Sequence, residues 1–268
     1  MNKKLMFVGG GAMAEAILTG LKKSGKDLKN VSVFDPNPRR LAELESLLGI
    51  SPVPNTPIGI QTADIVIIAV KPQVLPNVLP EIASAVKQSA VVVSIAAGVT
   101  LKVLEKALPE EQKVIRVMPN TPLMVGEGMS GLCKGTFVSE EDLAVVEEIF
   151  SASGKTLIVK ENLIDALSGI SGCGPAFMYL FIEALMDAGV LNGLTRKEAC
   201  LLAAQTMLGS ARMVLETGEE PAKLKGQVTS PGGTTIAGIK ELEKAALRGA
   251  VMDAVTATIQ RSKELENG

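Results

Sequence analysis

The sequence predicts an α/β protein: a doubly wound domain built on a parallel sheet, followed by an all-helical domain. Three observations lead there. Short apolar runs alternate with helix-like segments through the first 160 residues, those runs are β-branched and apolar on both faces, and the strand signal ends at about Glu161. Residues 1–160 are therefore expected to form the sheet domain and residues 161–268 the helical one.

The expected strands are Leu5–Val8, Val31–Phe34, Ile65–Val70, Val91–Ile95, Val114–Met118 and Leu157–Val159. Strands covered on both faces need no polar alternation, and these runs have none. Between them lie the expected helices Ala12–Lys23, Pro38–Leu48, Val74–Val86, Thr100–Ala107 and Glu140–Ser151, the third made irregular by Pro76 and Pro80. Past Glu161 the expected helices are Pro175–Val190, Thr195–Glu216 with a capping box of Thr195 and Glu198, and one helix from Thr234 to Glu264. In Pro175–Val190, Phe177, Leu180, Phe181, Ile182 and Leu185 leave little polar face. A helix apolar nearly all round needs cover on every side, and a small helical domain cannot supply it alone. The expectation is an obligate homodimer.

Composition narrows the function. The 268 residues are 47% hydrophobic but only 3% aromatic, so the core rests on Ala, Val, Leu, Ile and Met. Lys and Arg number 27 against 29 Asp and Glu, a net charge of −2, and no nucleic-acid partner is expected. Cys133, Cys173 and Cys200 are scattered and odd in number, which speaks against a disulfide framework or a metal site and suits a reducing cytoplasm. Lys3-Lys4 precedes only the short run Leu5 to Val8, too little for a signal-peptide core. The densest apolar stretch, Ala176 to Ile182, stops at Glu183, so no transmembrane span and no membrane partner is expected. The chain contains no histidine, which removes a Ser-His-Asp triad, His metal ligands and a His proton relay. Chemistry here must ask little of the protein's own acids and bases.

Strand Leu5–Val8 runs into Gly9-Gly10-Gly11-Ala12-Met13-Ala14 and then an apolar helix. This fits G-x-G-x-x-A. Gly9 allows the turn, Gly11 admits a pyrophosphate, and Ala14 lets helix and strand pack closely. Its place after the first strand of an α/β series makes this a Rossmann-like dinucleotide site. The second strand ends at Asp35, placed to accept from an adenosine ribose 2′-OH as in NADH binding. Asn37, Arg39 and Arg40 follow, and an arginine there could clamp the 2′-phosphate of NADPH. An exposed helix start would explain the same arginines, so NADPH or NADH stays open.

Three later strands also end in Pro- or Gly-bearing loops on the edge where open α/β sheets bind ligands. They lead into Lys71-Pro72, Ala96-Ala97-Gly98 and Pro119-Asn120-Thr121-Pro122. One such loop is ordinary turn chemistry; three line a cofactor cleft. A second glycine turn, Ser230-Pro231-Gly232-Gly233-Thr234-Thr235, runs into a helix and makes a nest for a carboxylate or phosphate.

Together these segments resemble the pyrroline-5-carboxylate reductase family over nearly the whole chain. The resemblance runs through Gly9–Ala14, Ala69–Pro72, Ser94–Thr100, Met118–Pro122, Ser168–Ala176 and Val228–Ile236. It implies NAD(P)H-dependent reduction of the cyclic imine 1-pyrroline-5-carboxylate to L-proline. It also implies a Rossmann-like domain followed by a helical dimerisation domain, an active site shared across the dimer, and in some members a ring of dimers. By position, Ser230, Gly232 and Gly233 bind the substrate carboxylate with Thr234 beside them. Thr235 matches the catalytic threonine at the ring nitrogen. Lys71, Asn120 and Thr121 line the cofactor side, and Asn55 matches a position near the adenosine ribose.

The chain departs from the family at Cys173, where many relatives have Ser, and at Asp35, which accommodates a 2′-phosphate poorly. The rival readings are another imine or β-hydroxyacid reductase of this architecture, and a non-catalytic NADP-binding sensor. A hydroxyacid dehydrogenase of this architecture usually places a catalytic lysine on a second-domain helix, and none of Lys223, Lys225 and Lys240 sits in the matching glycine-rich context. A sensor has little need of the polar turn at Ser230–Thr235.

Overall fold

The computed structural model describes residues 3–267, with side chains as far as residue 264. Its described strands form one sheet: β1 (Leu5–Val8), β2 (Val31–Phe34), β3 (Ser51–Pro52), β4 (Ile65–Ile68), β5 (Val91–Ser94), β6 (Lys113–Met118), β7 (Gly128–Lys134) and β8 (Gly154–Ile158). Their order is β3-β2-β1-β4-β5-β6-β7-β8, so the chain reverses direction across the sheet between β1 and β4. Helices α1 (Ala12–Lys23), α2 (Pro38–Leu48), α3 (Thr56–Ile60), α4 (Leu75–Ala85), α5 (Leu101–Ala107) and α6 (Glu140–Ser151) flank it.

Alternate residues of each strand feed two separate cores, which is why the strands are apolar throughout. Leu5, Phe7, Val31, Val33, Ile65 and Ile67 pack with Ile17 and Leu21 of α1, Leu44 of α2 and Phe150 of α6. Met6, Val8, Val66, Ile68 and Val92 pack on the other face with Ile60 of α3, Leu79 and Ile82 of α4 and Leu104 of α5. Pro76 and Pro80 do sit within α4, Pro76 in its first turn and Pro80 inside it.

The sheet corrects two expectations. First, β7 was not expected, and it runs antiparallel to β6 in a sheet otherwise parallel. Its sequence, Gly-Met-Ser-Gly-Leu-Cys-Lys, lacks the β-branched signature because its glycines fill tight places. A side chain at Gly128 would run into Leu123, and one at Gly131 into Leu167. Second, the last strand lies at Gly154–Ile158 rather than Leu157–Val159. The short β3 and α3 also carry too few residues to show a period.

The chain divides into two compact units. One runs to Gly172 and includes the chain from Ile259 onwards; the other is Cys173–Thr258. The end of the first contains α7 (Ile164–Leu167) and a π-helical turn at Ser168–Gly172. The second carries α8 (Gly174–Leu191), α9 (Arg196–Thr217), α10 (Pro221–Gln227) and α11 (Thr234–Lys244), and α12 (Leu247–Asn267) begins in it. The capping box is present: the Thr195 hydroxyl accepts from the Glu198 N–H at 3.3 Å, and the Glu198 carboxylate accepts from the Thr195 N–H at 2.9 Å. The expected single helix from Thr234 is instead two, because Ala246 adopts φ +55° and breaks the run before Leu247. The seven-residue α10 was not expected.

No residue of α8 is buried. Tyr179 is 62% and Leu180 65% exposed, and on α9 only Ala199 and Ala203 are buried. Counted with the turns leading into it, Glu161–Leu191 is a 31-residue helical run, long and apolar enough by length and composition to cross a membrane. This corrects the expectation that no stretch reaches such a span: the helical run starts at Glu161, well before the dense apolar stretch at Ala176. The second unit therefore leaves its most apolar helix uncovered, as expected of a chain that needs a second copy.

Candidate active site

The first unit gathers the expected cofactor residues, Asn55 excepted, along the carboxyl edge of β2, β1, β4, β5 and β6. These five strands are mutually parallel, so their loops emerge on one side. Gly9 leaves β1 with φ +103°, and a Cβ there would lie 2.7 Å from the Ala69 carbonyl oxygen. Only glycine accommodates both the angle and the approach. The Ala69 N–H donates to the Val8 carbonyl at 2.8 Å, so the turn is sewn to the end of β4. Gly11 stands at the N-cap of α1 with no side-chain cap, and a side chain there would meet only open space. Ala12 and Met13 open the helix, and Ala14 is fully buried beneath it. The first N–H groups of α1 thus face an open approach, as a pyrophosphate requires.

Asp35 does more than the sequence suggests. Its Oδ2 accepts from the Gly10 N–H and its Oδ1 from the Asn37 N–H, each at 2.9 Å. Asn37 caps α2, its Oδ1 accepting from the Arg39 N–H at 3.1 Å. The Arg39 side chain is exposed. Arg40 turns the other way: its Nε donates to the Gly10 carbonyl at 2.6 Å, and its guanidinium pairs with Glu15 and, at 3.3 Å, with Glu43. The hydrogen bond to Glu15 raises the Arg40 guanidinium above its ordinary value. Of the two arginines offered by the sequence for a phosphate, only Arg39 is open to solvent. Sequence reasoning missed the anchoring of Gly10, since nothing in the chain's spacing pairs position 10 with position 40.

Ala69 and Val70 are half-buried at the end of β4, Lys71 is exposed, and Pro72 is half-buried. Ala97 is exposed after β5. Asn120, after β6, has both ends of its amide engaged. Its Oδ1 accepts from the Met129 N–H at 2.8 Å, and its Nδ2 donates to the Ser171 carbonyl at 3.0 Å. It ties the strand-end loop to β7 and to the π-helical turn. Thr121 opens a 3-10 turn and is exposed. Asn55 stands apart, one strand further out after β3. There it caps α3, its Oδ1 accepting from the Ile58 N–H at 3.1 Å.

The second unit holds the other glycine turn. The Gly233 N–H donates to the Ser230 carbonyl at 3.1 Å, and Gly232 between them has φ +68°. Pro231 followed by a positive-φ glycine is the pattern of a type II turn. Gly233 is the N-cap of α11 and supplies no side-chain cap, so Thr234 and Thr235 begin a helix whose first N–H groups are left open. Ser230, Thr234 and Thr235 are exposed. A small anion with one polar edge fits this arrangement of hydroxyls and amides.

Comparison with known proteins agrees with both halves. Residues 161–265 match the family model described as pyrroline-5-carboxylate reductase dimerisation, and residues 4–98 match that described as NADP oxidoreductase, coenzyme F420-dependent. Pyrroline-5-carboxylate reductase of Escherichia coli is 44% identical over 266 residues, covering 99% of each chain. The structure of a pyrroline-5-carboxylate reductase from Coxiella burnetii superposes with a TM-score of 0.95 at 37% identity, again covering 99% of both chains. That of Plasmodium falciparum pyrroline carboxylate reductase with NADP bound gives 0.88 at 35% identity, over 99% of this chain and 98% of the other. Likeness of this extent across the whole length is decisive, and the chain belongs to the pyrroline-5-carboxylate reductase family.

Proposed function

We infer that this chain is an NAD(P)H-dependent oxidoreductase acting on a CH–NH group, which reduces 1-pyrroline-5-carboxylate to L-proline in the last step of proline biosynthesis. The observation that carries this reading is a pair of uncapped helix starts, each behind a glycine turn. One opens α1 behind Gly9–Gly11 and the other opens α11 behind Ser230–Gly233. Each presents backbone N–H groups to an anion, and the reaction has two anionic ligands.

On the cofactor side, Gly11, Ala12 and Met13 take the pyrophosphate, and Gly9 shapes the turn that brings them to it. Asp35, Asn37, Arg39 and Asn55 border the adenosine ribose, and the exposed guanidinium of Arg39 suits a 2′-phosphate. Ala69, Val70, Lys71, Pro72, Ala97, Asn120 and Thr121 line the remaining edge. A bound nicotinamide supplies the hydride that the imine carbon accepts.

On the substrate side, the Ser230 hydroxyl and the Gly232 amide hold the carboxylate with Thr234 beside them. The Gly233 N–H, expected from the sequence at the carboxylate, donates instead to the Ser230 carbonyl and closes the turn. Thr235 sets its hydroxyl at the ring nitrogen. There it donates to the neutral imine or accepts from the protonated one. Because the ring nitrogen is itself basic, its proton comes with the substrate or from water, and a chain without histidine loses nothing by it. The chain's contribution is orientation of carbon against hydride donor.

The working unit is a homodimer formed through residues 161–268, and sedimentation distinguishes it from a ring of dimers. Action in the cytoplasm fits three free cysteines. The direct test is purified protein with NADPH or NADH and 1-pyrroline-5-carboxylate, followed by loss of reduced-cofactor absorbance. Turnover with at least one cofactor is expected, and none with either removes this reading.

A further inference from the structure

We propose that Arg40 is a positioning residue for the dinucleotide turn, acting with Asp35 as a two-sided clamp on the Gly10 peptide and not as a ligand of the cofactor's 2′-phosphate. The inference rests on the reading of the α1 start as the pyrophosphate site.

Gly10 lies between Gly9, which is forced into a positive φ, and Gly11, which is open to solvent. Three consecutive glycines have the widest conformational choice of any tripeptide, and ordering them when the ligand arrives would weaken binding. In this chain both polar groups of Gly10 are already held, the N–H from the β2–α2 loop and the carbonyl from the first turn of α2. The N–H donates to Asp35 Oδ2 at 2.9 Å, and the carbonyl accepts from Arg40 Nε at 2.6 Å. Arg40 is itself fixed from both flanks, by Glu15 in the first turn of α1 and by Glu43 one turn along α2. Its side chain is only 23% exposed. A guanidinium so engaged is not free to swing out to a phosphate. It instead preorganises the turn whose amides receive the pyrophosphate.

Two roles for Arg40 separate by cofactor. A ligand of the 2′-phosphate would favour NADPH alone, whereas a clamp on the turn serves both dinucleotides equally, since both carry the same pyrophosphate. The experiment measures dissociation constants of NADPH and NADH by fluorescence titration, together with kcat and KM, for the full chain and its Arg40→Met, Arg40→Lys and Glu43→Gln variants. Arg40→Met keeps the stem and helix propensity but removes every donor. It is expected to weaken both cofactors by the same factor, about tenfold, with kcat within about twofold and KM for the imine unchanged. Arg40→Lys keeps a cation against Glu15 and should recover part of the loss for both cofactors. Glu43→Gln loosens one flank of Arg40 and should weaken both cofactors by the same factor, smaller than that of Arg40→Met. Weakening of NADPH alone would overturn the proposal in favour of direct phosphate contact. Unchanged affinities for both, or a fall in kcat alone, would overturn it as well. If the unaltered protein binds neither dinucleotide, the pyrophosphate reading itself fails, and the clamp with it.

Discussion

Thr235 is exposed at the second position of α11, beside a turn whose shape is fixed by Pro231 and the positive φ of Gly232. Its hydroxyl is not needed to cap the helix, since the N-cap is Gly233. Replacing it by the isosteric Val therefore leaves the fold alone and removes one donor from the substrate side. The expected outcome is a fall in kcat of about 100-fold or more, the scale for losing one aligned donor at a reacting centre, with NADPH affinity unchanged. Steady-state kinetics alongside a cofactor titration checks this, and normal turnover would reduce Thr235 to a helix-start residue. Such a site is legible in sequence where glycine, proline and hydroxyl types must occur in a fixed order, as in Gly9–Ala14 and Ser230–Thr235. It is not legible where a side chain reaches across elements. Neither the bond from Arg40 to the Gly10 carbonyl nor that from Asn120 to the Ser171 carbonyl leaves any periodic trace.

Among the elements, α6 shows how an end is fixed. The Ser139 hydroxyl accepts from the Asp142 N–H at 3.1 Å, the Asp142 carboxylate accepts from the Ser139 N–H at 3.3 Å, and Lys113 of β6 lies 2.8 Å from the same carboxylate. Partial burial pushes the Asp142 carboxyl up, but its bonds from Lys113 and Ser139 outweigh that and hold it below its ordinary value. A depressed carboxylate stabilises the fold above its unfolded pKa, and that stability is lost as pH falls through the folded value. The Asp142→Asn variant is accordingly expected to be less stable at neutral pH, with the gap to the unaltered protein closing as the medium is acidified below about pH 4. Urea denaturation at a series of pH values reads this out, and a gap independent of pH would deny the carboxylate its role. Elements of this kind were visible from the chain because capping residues and 3.6-residue spacing sit together. Strand β7 was not, since Gly128 and Gly131 are chosen for the space that Leu123 and Leu167 leave and not for strand propensity. The break at Ala246 was hidden for a related reason: alanine favours the helix that its φ interrupts.

At the scale of the molecule, the first unit buries its apolar strands under helices on both faces, whereas the second buries almost none of its own. The exposed apolar residues of α8 and α9 include Tyr179, Leu180, Leu201 and Leu215, each at least 62% exposed. Covering a side chain of this kind fully is worth about 1.5 to 3 kcal/mol, so a few of them bound against a second copy outweigh the loss of free movement on association. The family match over 161–265 is to a dimerisation domain, which supports self-association of the chain. Folding and association are then one equilibrium, so apparent stability should rise with protein concentration. Placing a charge in the middle of α8 tests the coupling. Leu180→Glu removes apolar area and would bury an unpaired carboxylate, a combined penalty of several kcal/mol that is about a thousandfold or more in association. Sedimentation velocity should show the unaltered chain associated at micromolar concentration and the variant dissociated or unfolded, with the activity lost in step. A variant that associates and turns over normally would mean that α8 is covered by something other than a second copy.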